Sequence, residues 1–219
     1  MATLLLRLQG PMQSWGTRSN FDRRDTGLEP SKSGVIGLVA AALGIDREHD
    51  ITDLAILRMG VRVDREGVLR CDYQTARGVI NAEGRRPQNV QSWRYYLADA
   101  AFLVGLEGNK ELLQKIHGAL LDPVWPLFLG RKSYAPSPPV YLPDGLREEG
   151  LVEALARYPY LPSLLDPRVQ PERTLRYVIE AQEGRLVLDQ PVGPFSKRRF
   201  GARYTVSRSA RLGEVVDVP

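Results

Sequence analysis

The sequence predicts an α+β protein: a ferredoxin-like, RRM-type N-terminal domain over residues 1–122 carrying a protruding β-hairpin, then a small β-rich C-terminal domain over 123–219. Three observations predict it. Short stretches with apolar residues at every second position alternate with two stretches whose apolar residues fall on a helical stripe. Their order is strand, helix, strand, strand, insertion, strand, helix, strand, nearly that of a ferredoxin-like unit. The texture then changes after Pro123, where Pro126, Pro136, Pro138, Pro139 and Pro143 interrupt any regular element.

The first strand is Thr3 to Gln9, with Leu4, Leu6 and Leu8 facing one way and Leu5, Arg7 and Gln9 the other. A polar stretch from Gly10 to Pro30 follows, too long for a simple connection, and loops of that length inside compact domains are usually functional. Ser31 has the chemistry of a helix N-cap and Gly44 that of a helix stop. Between them Val35, Ile36, Val39, Ala42 and Leu43 form the apolar stripe, and Gly34, Gly37, Ala40 and Ala41 suit close packing on a sheet. Leu54 to Asp64 and Val68 to Gln74 read as two strands joined by a turn near Arg65 to Gly67. The polar stretch Thr75 to Tyr96, with Gly84 and Pro87 at its middle, predicts two arms pairing as the hairpin. Ala100 to Leu106 reads as a strand, and Lys110 to Leu121 as an amphipathic helix with Leu112, Leu113, Ile116, Leu120 and Leu121 inward. Right-handed crossovers place both helices on one face and leave the other face free. Further on, Leu146 to Tyr158 suggests a short helix, and Thr174 to Ala181 and Arg185 to Asp189 the strands of a second sheet.

At 43% hydrophobic the 219 residues can bury a core, and the net charge of +4 suits a polyanionic partner if the cations cluster. Cys71 is the single cysteine, which excludes an intrachain disulfide and predicts a reducing compartment. The opening MATLLLRLQG is too short an apolar run for a secretion signal, and no stretch approaches the ~20 apolar residues of a membrane span. The expectation is a soluble cytoplasmic protein without membrane contact.

Catalytic and metal chemistry find little footing. His49 and His117 are far apart and lack ligand spacing, so no metal or other cofactor is expected. No G-x-S-x-G elbow occurs. LEPSKSGVIGLVAAALG looks like a phosphate loop entering a helix. However, aligning its Lys32–Ser33 on a nucleotide-binding loop puts Thr26 and Ser31 where glycines belong, and Pro30 has no amide to donate.

Nucleic acid fits better. Single-strand sites combine cations for phosphate with aromatic faces for bases, and arginine serves both. Three segments carry that mixture. The first, Trp15 to Arg24, holds Arg18, Phe21 and Arg23; the second, Arg77 to Tyr96, holds Arg85, Arg86, Trp93 and Arg94; the third, Phe195 to Tyr204, holds Lys197, Arg198 and Arg199. Arg131, Lys132 and Ser133 follow Gly130 in a fourth, and Ser31, Lys32 and Ser33 open the first helix, where unbonded amides attract anions.

The run LRLQGPMQSWGTRSNFDRR with PSKSGVIGLVAAALGIDR resembles the N-terminal signature of the CasD family, RAMP-superfamily RNA-binding subunits of the type I-E CRISPR Cascade complex. DYQTARG and FLGRKSYAPSPPV agree more loosely. The resemblance implies a non-catalytic subunit in antiviral defence that caps the 5′ handle of mature CRISPR RNA. It implies contacts with the neighbouring backbone subunit and the large subunit, with target DNA touched only indirectly or weakly. The hairpin over 75–96 would be the family's thumb, crossing the guide RNA at the handle–spacer boundary. Gln13 to Trp15, Ser31 to Ser33 and Gly130 to Ser133 would face the handle. The alternative is a metal-independent endoribonuclease of repeat RNA, since one branch cuts with a Tyr, Lys and His constellation. Here Lys132 and Tyr134 lack a histidine beside them, and His117 would have to approach through the fold.

Overall fold

The computed structural model describes residues 2–16, 22–80, 84, 87–171 and 174–218. In chain order the elements are β1 (Ala2–Gln9), β2 (Met12–Gln13), β3 (Arg23–Arg24), α1 (Lys32–Leu43), α2 (Thr52–Ala55), β4 (Arg58–Arg65), β5 (Val68–Val79) and β6 (Gln88–Ala98). There follow β7 (Ala101–Gly108), α3 (Lys110–Leu121), β8 (Leu146–Arg147), α4 (Leu151–Arg157), β9 (Leu175–Ala181), β10 (Arg185–Pro191) and β11 (Phe200–Ala210). The protein is α+β, built on a seven-stranded antiparallel sheet in the order β10-β11-β9-β4-β7-β1-β8. A second sheet of β2, β6 and β3 carries β5 on the outer side of β6.

The alternation of β1 decides what lies on each face of the large sheet. Leu4, Leu6 and Leu8 enter a core with α1 and α3, whose Val35, Ile36, Val39, Leu113 and Ile116 are buried. Leu5 points to the opposite face, and that face is not free as expected. Helix α4 lies on it, burying Leu151, Ala154 and Leu155 against Leu5, Leu103 and Ile179. Gly60 of β4 and Gly105 of β7 are directly paired and form the floor beneath the helix. A Cβ at Gly60 would stand 2.8 Å from Leu155 Cδ1, and one at Gly105 2.6 Å from Leu151 Cδ1. Arg62 fixes the end of α4. Its fully buried guanidinium pairs with Asp64 at 2.6 Å and donates to the carbonyls of Leu155, Tyr158 and Pro159. These are carbonyls a helix end leaves unsatisfied.

Other expectations also shift. The strand expected from Leu54 starts at Arg58, after the short α2. Pairing of the hairpin begins outside the expected Thr75–Tyr96, at Val68 opposite Ala98. The separate second sheet in the C-terminal third does not form, because β9 pairs with β4 through Gly60–Ile179 to Val63–Arg176 and so extends the first sheet. The basic tail, to which sequence assigned no element, forms a 3-10 turn at Phe195–Lys197 and then β11, which runs between β10 and β9.

Candidate nucleic-acid interface

Segments far apart in sequence meet in one open cleft of about 650 Å³. Its wall takes Ser14, Trp15 and Gly16 from the loop after β2, Arg24 from β3 and Asp25 just after it, and Ser31, Ser33 and Gly34 from the start of α1. Gly130 and Arg131 close one side, and Phe195, Arg198 and Phe200 another. Three arginines against one aspartate give the cleft a cationic wall, with hydroxyls and aromatic rings between the charges.

Gln13 and Trp15 build this wall rather than present themselves to it. Gln13 is fully buried, and its amide donates to the carbonyls of Leu8 (3.1 Å) and Ala100 (2.9 Å). Its side-chain oxygen accepts from the Trp15 ring nitrogen at 3.2 Å. Trp15 is 1% exposed and packs under the first turn of α1, where a Cβ at Gly34 would stand 2.9 Å from its ring. That contact explains the pairing of QSWG with KSG in the sequence. Trp15 also accepts from the Gly27 amide through its carbonyl and donates its own amide to Thr26 Oγ1, which closes the intervening loop. Ser14 stays at the surface of the cleft, although its hydroxyl bonds to the carbonyls of Asp25 and Tyr95. Gly130, at φ +90, lies against the Ser14 carbonyl where a side chain would collide.

The start of α1 corrects the phosphate expectation. Lys32 is 1% exposed, and its ammonium pairs with Glu180 at 2.9 Å. Burial pushes its pKa down, an effect the neighbouring Glu180 opposes. Its amide donates to Asp189 Oδ2 at 2.7 Å, and Asp189 in turn is gripped by both arms of Arg203. The anion at this helix start is therefore Asp189, as the helix dipole and unbonded amide demand. Ser31 caps the helix by accepting from the Gly34 amide at 3.3 Å. Of the three helix-start residues, Ser31 and Ser33 line the cleft, and Lys32 is a strut behind it.

Arg131 is partly committed to structure. It donates to Tyr134 Oη at 2.9 Å and to the carbonyls of Tyr95 and Arg24, and its guanidinium lies 5.4 Å from the Tyr134 ring centroid. Lys132 and Ser133 are exposed beside it and do not line the cleft. Arg198 does line it, held by a left-handed backbone at φ +48, with Lys197 and Arg199 exposed on either side.

The hairpin residues lie elsewhere. Arg77 is exposed on β5, and Trp93 is half-buried on β6, with the Arg23 guanidinium 5.6 Å from its ring centroid. Arg94 pairs in register with Arg24. Arg18, Phe21, Arg85 and Arg86 lie outside the described residues. His117 bonds through Nε2 to the Leu142 carbonyl at 2.8 Å and stacks on Tyr141, and it does not line the cleft. The third cationic and aromatic segment read from sequence supplies Phe195 and Phe200 to the lining. Sequence reading missed Asp189 as the resident helix anion, which nothing local signals.

A cationic, aromatic cleft beside an antiparallel sheet has the chemistry that single-stranded nucleic acids take, and comparison with known proteins gives the family. Residues 3–206 match the family model for CRISPR-associated protein (Cas_Cas5), and the chain belongs to that family. It is 33% identical over 160 residues to the CRISPR system Cascade subunit CasD of Escherichia coli (strain K12), covering 64% of this chain and 69% of that protein. Among solved structures, one titled "Crystal structure of Cas protein" is 56% identical with a TM-score of 0.80, covering 96% of this chain and 95% of its own. A chain of a "CRISPR RNA-guided surveillance complex" is 31% identical with a TM-score of 0.74, covering 96% and 90%. No helix among the described residues is long and apolar enough to cross a membrane.

Proposed function

We propose that this chain is a non-catalytic RNA-binding subunit of a CRISPR Cascade surveillance complex, seating the 5′ handle of the mature CRISPR RNA in the cleft. The observation that carries the reading is the convergence of Arg24, Arg131 and Arg198 from three distant segments on one open cavity. A handle is single-stranded and polyanionic, and it needs spaced cations for phosphates with hydroxyls and rings between them. The order β8-β1-β7-β4 within the large sheet, with α1 and α3 on one face, supports the ferredoxin-like part of this reading. The proposed partners are a backbone subunit and a large subunit, with the hairpin as the bridging thumb; the family assignment and the likeness to a surveillance-complex chain support a place in such a complex.

Cleavage has less support. A general base must reach the 2′-hydroxyl, yet His117 is bonded to Leu142, and Tyr134 is 5% exposed with its hydroxyl taken by Arg131.

The test is binding of labelled repeat–spacer RNA in EDTA, followed on native and denaturing gels. The expected result is a shifted, uncut band that depends on the 5′ handle. The pair Arg24→Ala with Arg198→Ala should weaken binding and lower the salt slope by roughly 0.7 per lost phosphate contact. A cut band, or a shift indifferent to the handle, overturns the reading.

A further inference from the structure

We propose that Asp189 is a positioning residue for RNA in the cleft: from behind the start of α1 it sets where the β10–β11 connection holds Arg198. This rests on the RNA-binding reading above and adds to it a residue that acts through Arg198 without touching RNA. Asp189 is 2% exposed and does not line the cleft. Its carboxylate accepts three hydrogen bonds, from the Lys32 amide at 2.7 Å and from Arg203 at 2.6 and 2.9 Å. It thus joins three elements: α1 through an amide, and β10 and β11 through its own pairing with Arg203.

Just beyond Asp189 the ladder ends with Gln190 opposite Gly201 and Pro191 opposite Phe200, and the Val192 amide donates to the Arg199 carbonyl at 3.0 Å. The connection closed in this way lies along α1. Its Phe195 ring meets the helix at Gly37, where a Cβ would stand 3.7 Å from Phe195 Cζ. Its Ser196 amide donates to the Arg47 carbonyl, past the end of α1, at 3.0 Å. Of these three anchors only Asp189 is charged, and a charge-assisted hydrogen bond is roughly twice as strong as a neutral one. Arg198 lies inside the anchored stretch with its backbone at φ +48. A residue other than glycine keeps such a backbone only where its surroundings over-determine it. Charge alone predicts the reverse of positioning. As a bystander, Asp189 is a negative charge behind a cationic wall, and its removal would tighten RNA binding. As a positioning residue, its removal frees the connection and loses the Arg198 contact.

The test is binding of labelled repeat–spacer RNA to the full-length chain over a salt series. Asp189→Ala should weaken binding and lower the salt slope by roughly 0.7, the share of one phosphate contact on a single strand. Adding Arg198→Ala to it should change little further, because both act on one contact. Adding Arg24→Ala should cost what it costs alone. Gly37→Leu disturbs the same connection in a chain that keeps Asp189, and it carries the test if Asp189→Ala does not fold. Its larger side chain displaces Phe195, so it should give a similar loss and again leave Arg198→Ala nearly silent. Unchanged or tighter binding by Asp189→Ala overturns the proposal. So does an Arg198→Ala loss that stays whole in either background, and the cleft then stands without Asp189. If neither Arg24→Ala nor Arg198→Ala weakens binding in the otherwise unaltered chain, the handle reading fails and this one with it.

Discussion

Lys32 shows how a single residue changes meaning once its surroundings are known. In sequence it is a cation at a helix start followed by a serine. In the structure it bridges 148 positions to Glu180, while its amide reaches Asp189. Arg203 lies between the two acids, on Asp189 at 2.6 Å and near Glu180 at 3.7 Å. The group ties α1 to β9, β10 and β11 and so holds one wall of the cleft in place. Lys32→Met should therefore lower stability by about 2–4 kcal/mol, because it leaves the partly buried Glu180 with only the longer Arg203 contact and the Met59 amide. The salt slope of RNA binding should stay unchanged, since no phosphate contact is removed. Denaturant melts and a salt titration on the same variant check this. A flattened slope with unchanged stability would return Lys32 to the RNA.

At the scale of elements, α4 and the hairpin define what the two sheets offer. Helix α4 has only seven residues and cannot hold together alone. It persists because Gly60 and Gly105 let it approach the sheet and because Arg62 binds the carbonyls at its end. Arg62→Met should cost about 3–5 kcal/mol by leaving Asp64 buried and unpaired. Adding Asp64→Leu should recover part of that loss, and thermal denaturation of the single and double variants measures both. The signs of this covering were present in sequence, as glycines inside two apolar strands and a charged pair, Arg62 and Asp64, on one face of β4. They were not decisive, because an arginine on a strand looks the same whether it meets solvent, RNA or a helix end. The hairpin was more legible, since its polar texture around a Gly and a Pro marks a turn. Its register was not, and only the register places Tyr73, Trp93 and Arg23 in one row.

For the whole molecule, the continuity of the large sheet joins the two ends of the chain. Strand β9 covers the edge of β4, and α4 with Leu161 beyond it covers the second face, in one cluster with Leu5, Leu103, Tyr177 and Val206 of the sheet. A fragment ending at residue 122 would expose that β4 edge and the apolar residues Leu5 and Leu103. Such a fragment should aggregate or lack a cooperative melt, even though 1–122 reads as a self-contained unit in sequence. Circular dichroism melts and size-exclusion of the fragment beside the full chain decide it. A monomeric fragment with a sharp transition would establish 1–122 as an independent domain.

The sequence by itself determined the alternation of β1, the cap and stop of α1, the amphipathic stripe of α3, and the presence of four cationic segments with aromatics among them. Each is a local property, written in residues a few positions apart, and local periodicity and turn chemistry suffice to read it. Tertiary structure alone decided which of those cations face the cleft. Arg24, Arg131 and Arg198 do, while Lys32 is buried behind it, and Gln13 and Trp15 frame it. The reason is physical. A cation binds whichever anion the fold brings near, and for Lys32 that anion was supplied by β9, far along the chain, before any RNA arrives.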